Sequence, residues 1–238
     1  MPTLRYTRIL DLTHRISPDM PHWPGDPATR FRPAAAIATH GYGLREACLG
    51  EHSGTHVNAP CAFVDGEATL DEALARPFLA PAVVLDCREA CAGDADALLG
   101  LARVETFEAA HGPVPAGALV LFRTGWEERW GETGAARAAF LGLDGAGGLH
   151  FPGISAEAAE FLMARRGAAG LGTDTHGLDG GQASDFAANL AVARAGGLGL
   201  ECLRGLDGLP PTGAVLLVAA PRLAGGTGAP ACVTAFVP

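Results

Sequence analysis

The chain has 238 residues, of which 48% are apolar and only 18% charged, with 33 glycines, 17 prolines and a formal charge of −9 at pH 7. That length can bury one full core, and because the glycines and prolines form no tract that reads as a linker, one domain spanning 1–238 is expected. An acidic chain without a Lys/Arg cluster is not built to grip a nucleic-acid backbone, and no run of about 18 apolar residues is present to cross a bilayer.

The elements follow in order. Arg8–Leu12 reads as a short strand, and the prolines of Met20–Pro27 forbid helix there, fixing a loop that carries Trp23. Residues 32–60 alternate short apolar runs with Gly and His. Thr69 and the acidic pair Asp71-Glu72 predict a brief capped helix over 69–74. Ala82–Asp86 is a buried strand, 103–111 a helix, and Ala118–Phe122 another buried strand. Ser155–Leu162 reads as a capped amphipathic helix, and Gly167–Thr173 as a strand. A helix over 185–195 and strands over 198–203, 214–220 and 231–237 complete an α/β pattern. Crossover helices are missing between several strands, so a mixed sheet wrapped by a few helices fits better than a doubly wound fold. The absence of an apolar leader before Asp11 points to a cytoplasmic protein. Six scattered cysteines without C-x-x-C spacing read as buried free thiols.

Ligand-type residues are densest in Glu51-His52-Ser53-Gly54-Thr55-His56-Val57-Asn58-Ala59-Pro60. Two histidines four apart share one face of a helix, whereas on an extended strand they would stand about 13 Å apart, too far to share an ion. The chain must therefore bend if both bind one metal, and Gly54 is the residue that permits it. Spacing alone favours structural or surface histidines.

The segment H-S-G-T-H-x-N-A-P-x-A-F resembles the signature H-x-G-T-H-x-D-x-P-x-H-F of the cyclase family of metal-dependent hydrolases, which includes bacterial kynurenine formamidase. D-L-T-H-x-I-S-P-D-M-P-x-W-P-G-D-P at 11–27, F-P-G-I-S-x-E-A-A-E-F-L at 151–162 and G-T-D-T-H-G-L-D at 172–179 resemble further family segments, in family order. Glu201, Leu206–Pro210 and Gly225–Pro230 continue that order to the C-terminal end. The resemblance implies the family's swivelling β/β/α fold, a metal-dependent hydrolase or cyclase acting on a small amide, ester or lactone carbonyl, and a homodimer or homotetramer. The low charged fraction, which leaves much neutral surface, is in keeping with assembly.

Carried over position by position, the resemblance assigns metal binding to His52, His56 and Glu201. Asn58 stands where hydrolytic members have a ligating aspartate, Asn189 where a further ligating histidine is expected, and Ala62 where a histidine serves proton transfer. Two dications about 3.5–4 Å apart need anionic bridges, which a neutral Asn58 cannot supply. A single divalent ion, zinc or manganese, on two histidines and one carboxylate remains the expectation. Asn58, Asn189 and Trp23 are then candidates for substrate binding, with Trp23 resembling the family's pocket aromatic. His176 and Asp174 are candidate proton-transfer residues, although Asp174 and Asp179 in such a loop more often make turns and helix caps. His150 reads as a packing or surface residue. The alternative function is a catalytically silent member that binds a small molecule or serves assembly, which the losses at 58, 62 and 189 favour.

Overall fold

The computed structural model describes residues 3–76 and 78–238. Its strands are β1 (Arg8–Asp11), β2 (Arg30–Ala35), β3 (Leu44–Cys48), β4 (His56–Asn58), β5 (Phe78–Asp86), β6 (Leu98–Leu99), β7 (Leu119–Arg123), β8 (Gly153–Ile154), β9 (Gly170–Thr173), β10 (Leu198–Glu201), β11 (Val215–Ala219), β12 (Gly228–Pro230) and β13 (Cys232–Val237). Nine of them form one mixed sheet in the order β1-β13-β11-β5-β7-β9-β10-β4-β12. The inner run β5-β7-β9-β10 is parallel, while β4 joins it antiparallel to both β10 and β12. This is the mixed sheet with few helices that the missing crossovers predict.

Parallel strands covered on both faces need continuous rather than alternating apolar sequence. Leu119, Val120, Leu121 and Phe122 of β7 meet that demand, each fully buried. On one face Leu12, Val57, Leu200 and Leu216 pack with Leu119 and Leu121. On the other, Val83, Val120 and Leu171 lie beneath the helices Leu101–His111 and Ala156–Glu160 and the helix Ala187–Arg194. Ser155 caps the second of these through its hydroxyl, which accepts from the Ala158 N–H at 3.1 Å. That helix runs on into a wider turn over Phe161–Arg165. The capped helix predicted near residue 70 is Leu70–Ala73, closed by a reciprocal Thr69/Glu72 capping box.

Several differences have physical reasons. The strand expected from Gly167 begins only at Gly170, because Gly167 takes a left-handed φ of +63° to turn the chain out of the preceding helix. The hairpin of β2 and β3 stands outside the main sheet with its side chains exposed or half-exposed, so it lacks the polar–apolar alternation that marks a half-buried strand. The helix Gly134–Leu141 opens on a glycine, and its start is signalled only by Thr133, whose hydroxyl accepts from the Ala136 N–H at 3.2 Å. All six thiols are free, but Cys48 and Cys232 are exposed rather than buried. Among the described residues no helix is long and apolar enough to cross a membrane.

The topology sets up a site where β9 and β10 end. Glu201 closes β10, the segment Thr173–Asp179 leaves β9 beside it, and His56 opens β4 directly opposite Glu201 in the antiparallel register. Clefts beyond the carboxyl ends of parallel strands are the usual place for ligands in open α/β sheets.

Candidate active site

A cavity of about 250 Å³ opens at this point, lined by Trp23, His52, His56, Asn58, His176, Asn189 and Glu201 together with Ala62, Phe63 and Phe186. The predicted bend is present: Gly54 has φ +63° and brings the two imidazoles to a ring-centroid distance of 5.3 Å, nearly perpendicular to each other. His56 Nδ1 donates to the Gly54 carbonyl at 2.8 Å, so the turn that makes the bend also orients the ring.

His56 and Glu201 are buried together, with Nε2 3.1 Å from Oε2. The separation suits a hydrogen bond, yet His56 Nε2 has no aligned partner. Burial alone would lift the Glu201 carboxyl, but the His56 beside it outweighs burial and holds it below its ordinary value. For His56, burial pulls the pKa down, while the Glu201 carboxylate pulls harder and leaves it raised. The other Glu201 oxygen accepts from the Leu178 N–H at 3.1 Å.

His52 pairs with Asn58. Its Nδ1 lies 2.7 Å from Asn58 Oδ1 and its Nε2 2.9 Å from Thr227 Oγ1, so both nitrogens have polar neighbours of their own. Burial, and next the charge of His56, lower its pKa. Accordingly, no three His, Cys, Asp or Glu side chains form a ready cluster for an ion among the described residues. The donors come instead as two pairs, His56 with Glu201 and His52 with Asn58. Gly228 makes room for this arrangement, since a Cβ there would stand 2.6 Å from His52 Cε1.

His176 is buried in the cavity wall with neither ring nitrogen hydrogen-bonded. Burial and the neighbouring His56 lower its pKa to about 4, so it is neutral at pH 7. Trp23 packs on it at a centroid distance of 5.5 Å. Asp174 is not beside it as a proton-transfer partner. Its carboxylate is fully buried, does not line the cavity, and accepts from the Thr124 N–H (2.9 Å), the Thr124 hydroxyl (2.6 Å) and the Gly125 N–H (2.7 Å). The catalytic expectation for Asp174 is therefore corrected: it anchors the turn after β7, and burial raises its pKa.

Asp179 caps the helix Ala187–Arg194, accepting from the N–H groups of Ala188 at 2.7 Å and Asn189 at 3.0 Å. It also takes the Asn189 amide at 2.9 Å, which leaves that side chain's oxygen as its free polar atom at the cavity wall. His150 is bound at the surface between Asp96 (2.8 Å) and Asp144 (3.4 Å) and takes no part in the site.

Three further residues shape the site. Phe186 adopts φ +51° just before the Ala187–Arg194 helix and meets Phe63 at 5.8 Å over the cavity. Thr227 meets His52 and is itself held by Glu51. The sequence signal for these two was present, in the Gly-Gly-Thr-Gly run and in the residue preceding His52, but not their contact, which spans 176 positions.

The donor types suit one divalent ion: imidazole nitrogens, an amide oxygen and a carboxylate are ligands for zinc or manganese, and His56 Nε2 is a buried nitrogen without an aligned partner. Besides Glu201 the cavity wall carries Asp26 and Asp179, and Asp179 already accepts from the N–H groups of Ala188 and Asn189.

Comparison with known proteins agrees with this architecture. The Cyclase family (Putative cyclase) matches residues 10–180. An isatin hydrolase from Roseibium aggregatum is 37% identical over 198 residues, covering 80% of this chain and 73% of that protein. The solved structure of isatin hydrolase A from Labrenzia aggregata, bound to benzyl benzoate, superposes with a TM-score of 0.88 at 36% identity, over 97% of this chain and 93% of its own. Isatin hydrolase A from Ralstonia solanacearum superposes with a TM-score of 0.88 at 34% identity, over 97% and 92%. The chain belongs to the cyclase family.

Proposed function

We propose that this protein is a metal-dependent hydrolase or cyclase that acts on a small, flat amide, ester or lactone carbonyl and holds one divalent ion. The observation that carries the reading is the pairing of His56 and Glu201, two buried groups of opposite preference facing one cavity beside a second imidazole–oxygen pair. His56, Glu201, Asn58 and His52 would hold the ion, zinc or manganese by ligand type. Such an ion supplies carbonyl polarisation and makes water acidic enough to attack near neutral pH.

The chain's own residues supply the rest. Trp23, Phe63 and Phe186 offer aromatic surface that accepts a planar substrate and keeps water out. His176, neutral and unpartnered, donates a hydrogen bond to a substrate oxygen; with a pKa near 4 it is a weak base and serves better as donor than as proton acceptor. The free oxygen of Asn189 accepts from a substrate N–H. Asp174 ties the segment that carries His176 to the turn after β7, and Asp179 caps the helix that carries Asn189. The likeness to isatin hydrolases favours a cyclic amide such as isatin as the first substrate to try. The protein acts as a homodimer or homotetramer, and six free thiols fit the reducing cytoplasm.

Ala62 supports the second reading, a silent member that binds a small molecule. It lines the cavity where the family resemblance expects a proton-transferring histidine. The deciding assay loads the purified protein with zinc or manganese and follows turnover of isatin, an aryl formamide and an aryl lactone. Ring opening or deformylation above the metal-only control supports the hydrolase. Tight binding of these compounds without turnover of any of them establishes the silent reading instead.

A further inference from the structure

Thr227 meets His52 and is itself held by Glu51, and neither residue lines the cavity. The Thr227 N–H donates to Glu51 Oε2 at 2.8 Å and the Thr227 hydroxyl to the same oxygen at 2.7 Å. A carboxylate can only accept, so the single hydroxyl proton of Thr227 is committed to Glu51. The atom facing His52 Nε2 at 2.9 Å is then an oxygen lone pair, and Nε2 must carry the hydrogen. In the neutral ring the remaining lone pair falls on Nδ1. Turning the ring over would place carbon at both polar contacts, so Thr227 and Asn58 together fix its orientation as well.

Nδ1 in turn faces the Asn58 side-chain oxygen at 2.7 Å. Two lone-pair atoms at that distance repel unless something positive lies between them or the amide turns over to present its NH2. A shared cation removes the conflict, and a hydrogen bond from the second ring nitrogen to an outer acceptor is what metal-ligating histidines generally have.

We infer that Glu51 and Thr227 are positioning residues that lock His52 in its Nε2–H form, so that Nδ1, paired with Asn58 Oδ1, is the nitrogen offered to a cation. The inference rests on the single-ion reading for its purpose but not for its first test. In the metal-free protein at pH 8, nitrogen NMR of 15N-histidine-labelled protein reads the tautomer directly, with His52 assigned by its loss in His52→Gln. The expected spectrum has a protonated Nε2 and an unprotonated Nδ1. Thr227→Val removes the acceptor while keeping the shape. His52 should then shift its hydrogen to Nδ1, donating to Asn58, and zinc or manganese affinity measured by calorimetry should fall about 10–100-fold. Thr227→Ser should restore both.

A wild-type ring protonated on Nδ1 overturns the proposal whether or not any variant folds. An unchanged tautomer and affinity in a folded Thr227→Val overturn it too. If the wild type shows the Nε2–H form but takes up no ion, the positioning stands and the single-ion reading fails.

Discussion

His56 and Glu201 are cross-strand partners in the antiparallel pair of β4 and β10, and this register alone brings Nε2 to 3.1 Å from Oε2 in the protein interior. A strand pairing shifted by one residue would point one of the two side chains to the opposite face of the sheet. The site thus depends on β4, only three residues long, being clamped between β10 and β12.

Breaking that pair should be costly in the metal-free protein. Removing one member of a buried ion pair typically destabilises by about 3–5 kcal/mol. Glu201→Leu also deprives the Leu178 N–H of its acceptor, so a loss of about 3 kcal/mol or more is expected, and Glu201→Gln should lose less. Urea unfolding monitored by tryptophan fluorescence gives the comparison. A Glu201→Leu protein within 0.5 kcal/mol of wild type, a margin typical of neutral surface changes, would mean that the two groups are not coupled.

Acid should weaken the fold through His14. Its ring stacks on Trp130 at 3.9 Å, and burial, then the charge of Arg204, lowers its pKa to about 4 against the opposing pull of Asp11. The unfolded chain binds this proton near pH 6.5 and the folded one only near 4, so stability falls as pH drops through that window. From pH 7 to pH 5 the loss amounts to about 2 kcal/mol for this one group. His176, lowered in the same way, adds in the same direction. His56 has a raised pKa, so its contribution is lost on the alkaline side instead. Denaturant midpoints for wild type and His14→Phe should converge at pH 5 relative to pH 7; parallel curves would show that His14 does not titrate in this way.

What could be read from sequence divides along physical lines. The buried runs of β5 and β7 and the capped helices at 70 and 156 carry local signals that survive folding. The convergence of His52 and His56 was legible because only a glycine bend could bring them together, and Glu201 was legible through its place in the family order. The role of Asp174 was not, since a carboxylate in a loop looks the same whether it faces a cavity or anchors a turn. Phe186 sits at a backbone angle that its residue type does not announce. The contact of Thr227 with His52 joins residues 175 apart and is made by tertiary packing alone.

The β2–β3 hairpin should pack against another copy of the chain. Around its tip Ile37, Tyr42 and Leu44 are 75%, 56% and 55% exposed, a concentration of apolar surface on a hairpin that lies outside the main sheet. Light scattering at micromolar concentration should give a dimer or tetramer mass, and Ile37→Asp combined with Tyr42→Asp should lower it. A monomer mass for the wild type would reject assembly.

The neutral side chains at 58 and 189 should limit the native protein to one ion, and changing them should raise that number. Asn58→Asp places a carboxylate 2.7 Å from His52 Nδ1 with almost no change in volume, supplying the charge that an amide oxygen lacks. Asn189→His adds an imidazole at the same cavity wall, at the expense of the amide hydrogen bond to Asp179; that loss should cost about 1 kcal/mol. The double variant should therefore bind more zinc or manganese, tending towards two ions per chain, while the native protein holds at most one. Catalysis should gain most when Ala62→His is added, because Ala62 already faces the cavity and a histidine there provides the proton acceptor that His176, with its pKa near 4, does not. Elemental analysis of the native and double-variant proteins, followed by turnover of isatin by the triple variant, tests the sequence of effects. Two tightly held ions in the native protein, or no added metal in a well-folded double variant, would show that Asn58 and Asn189 do not occupy ligand positions.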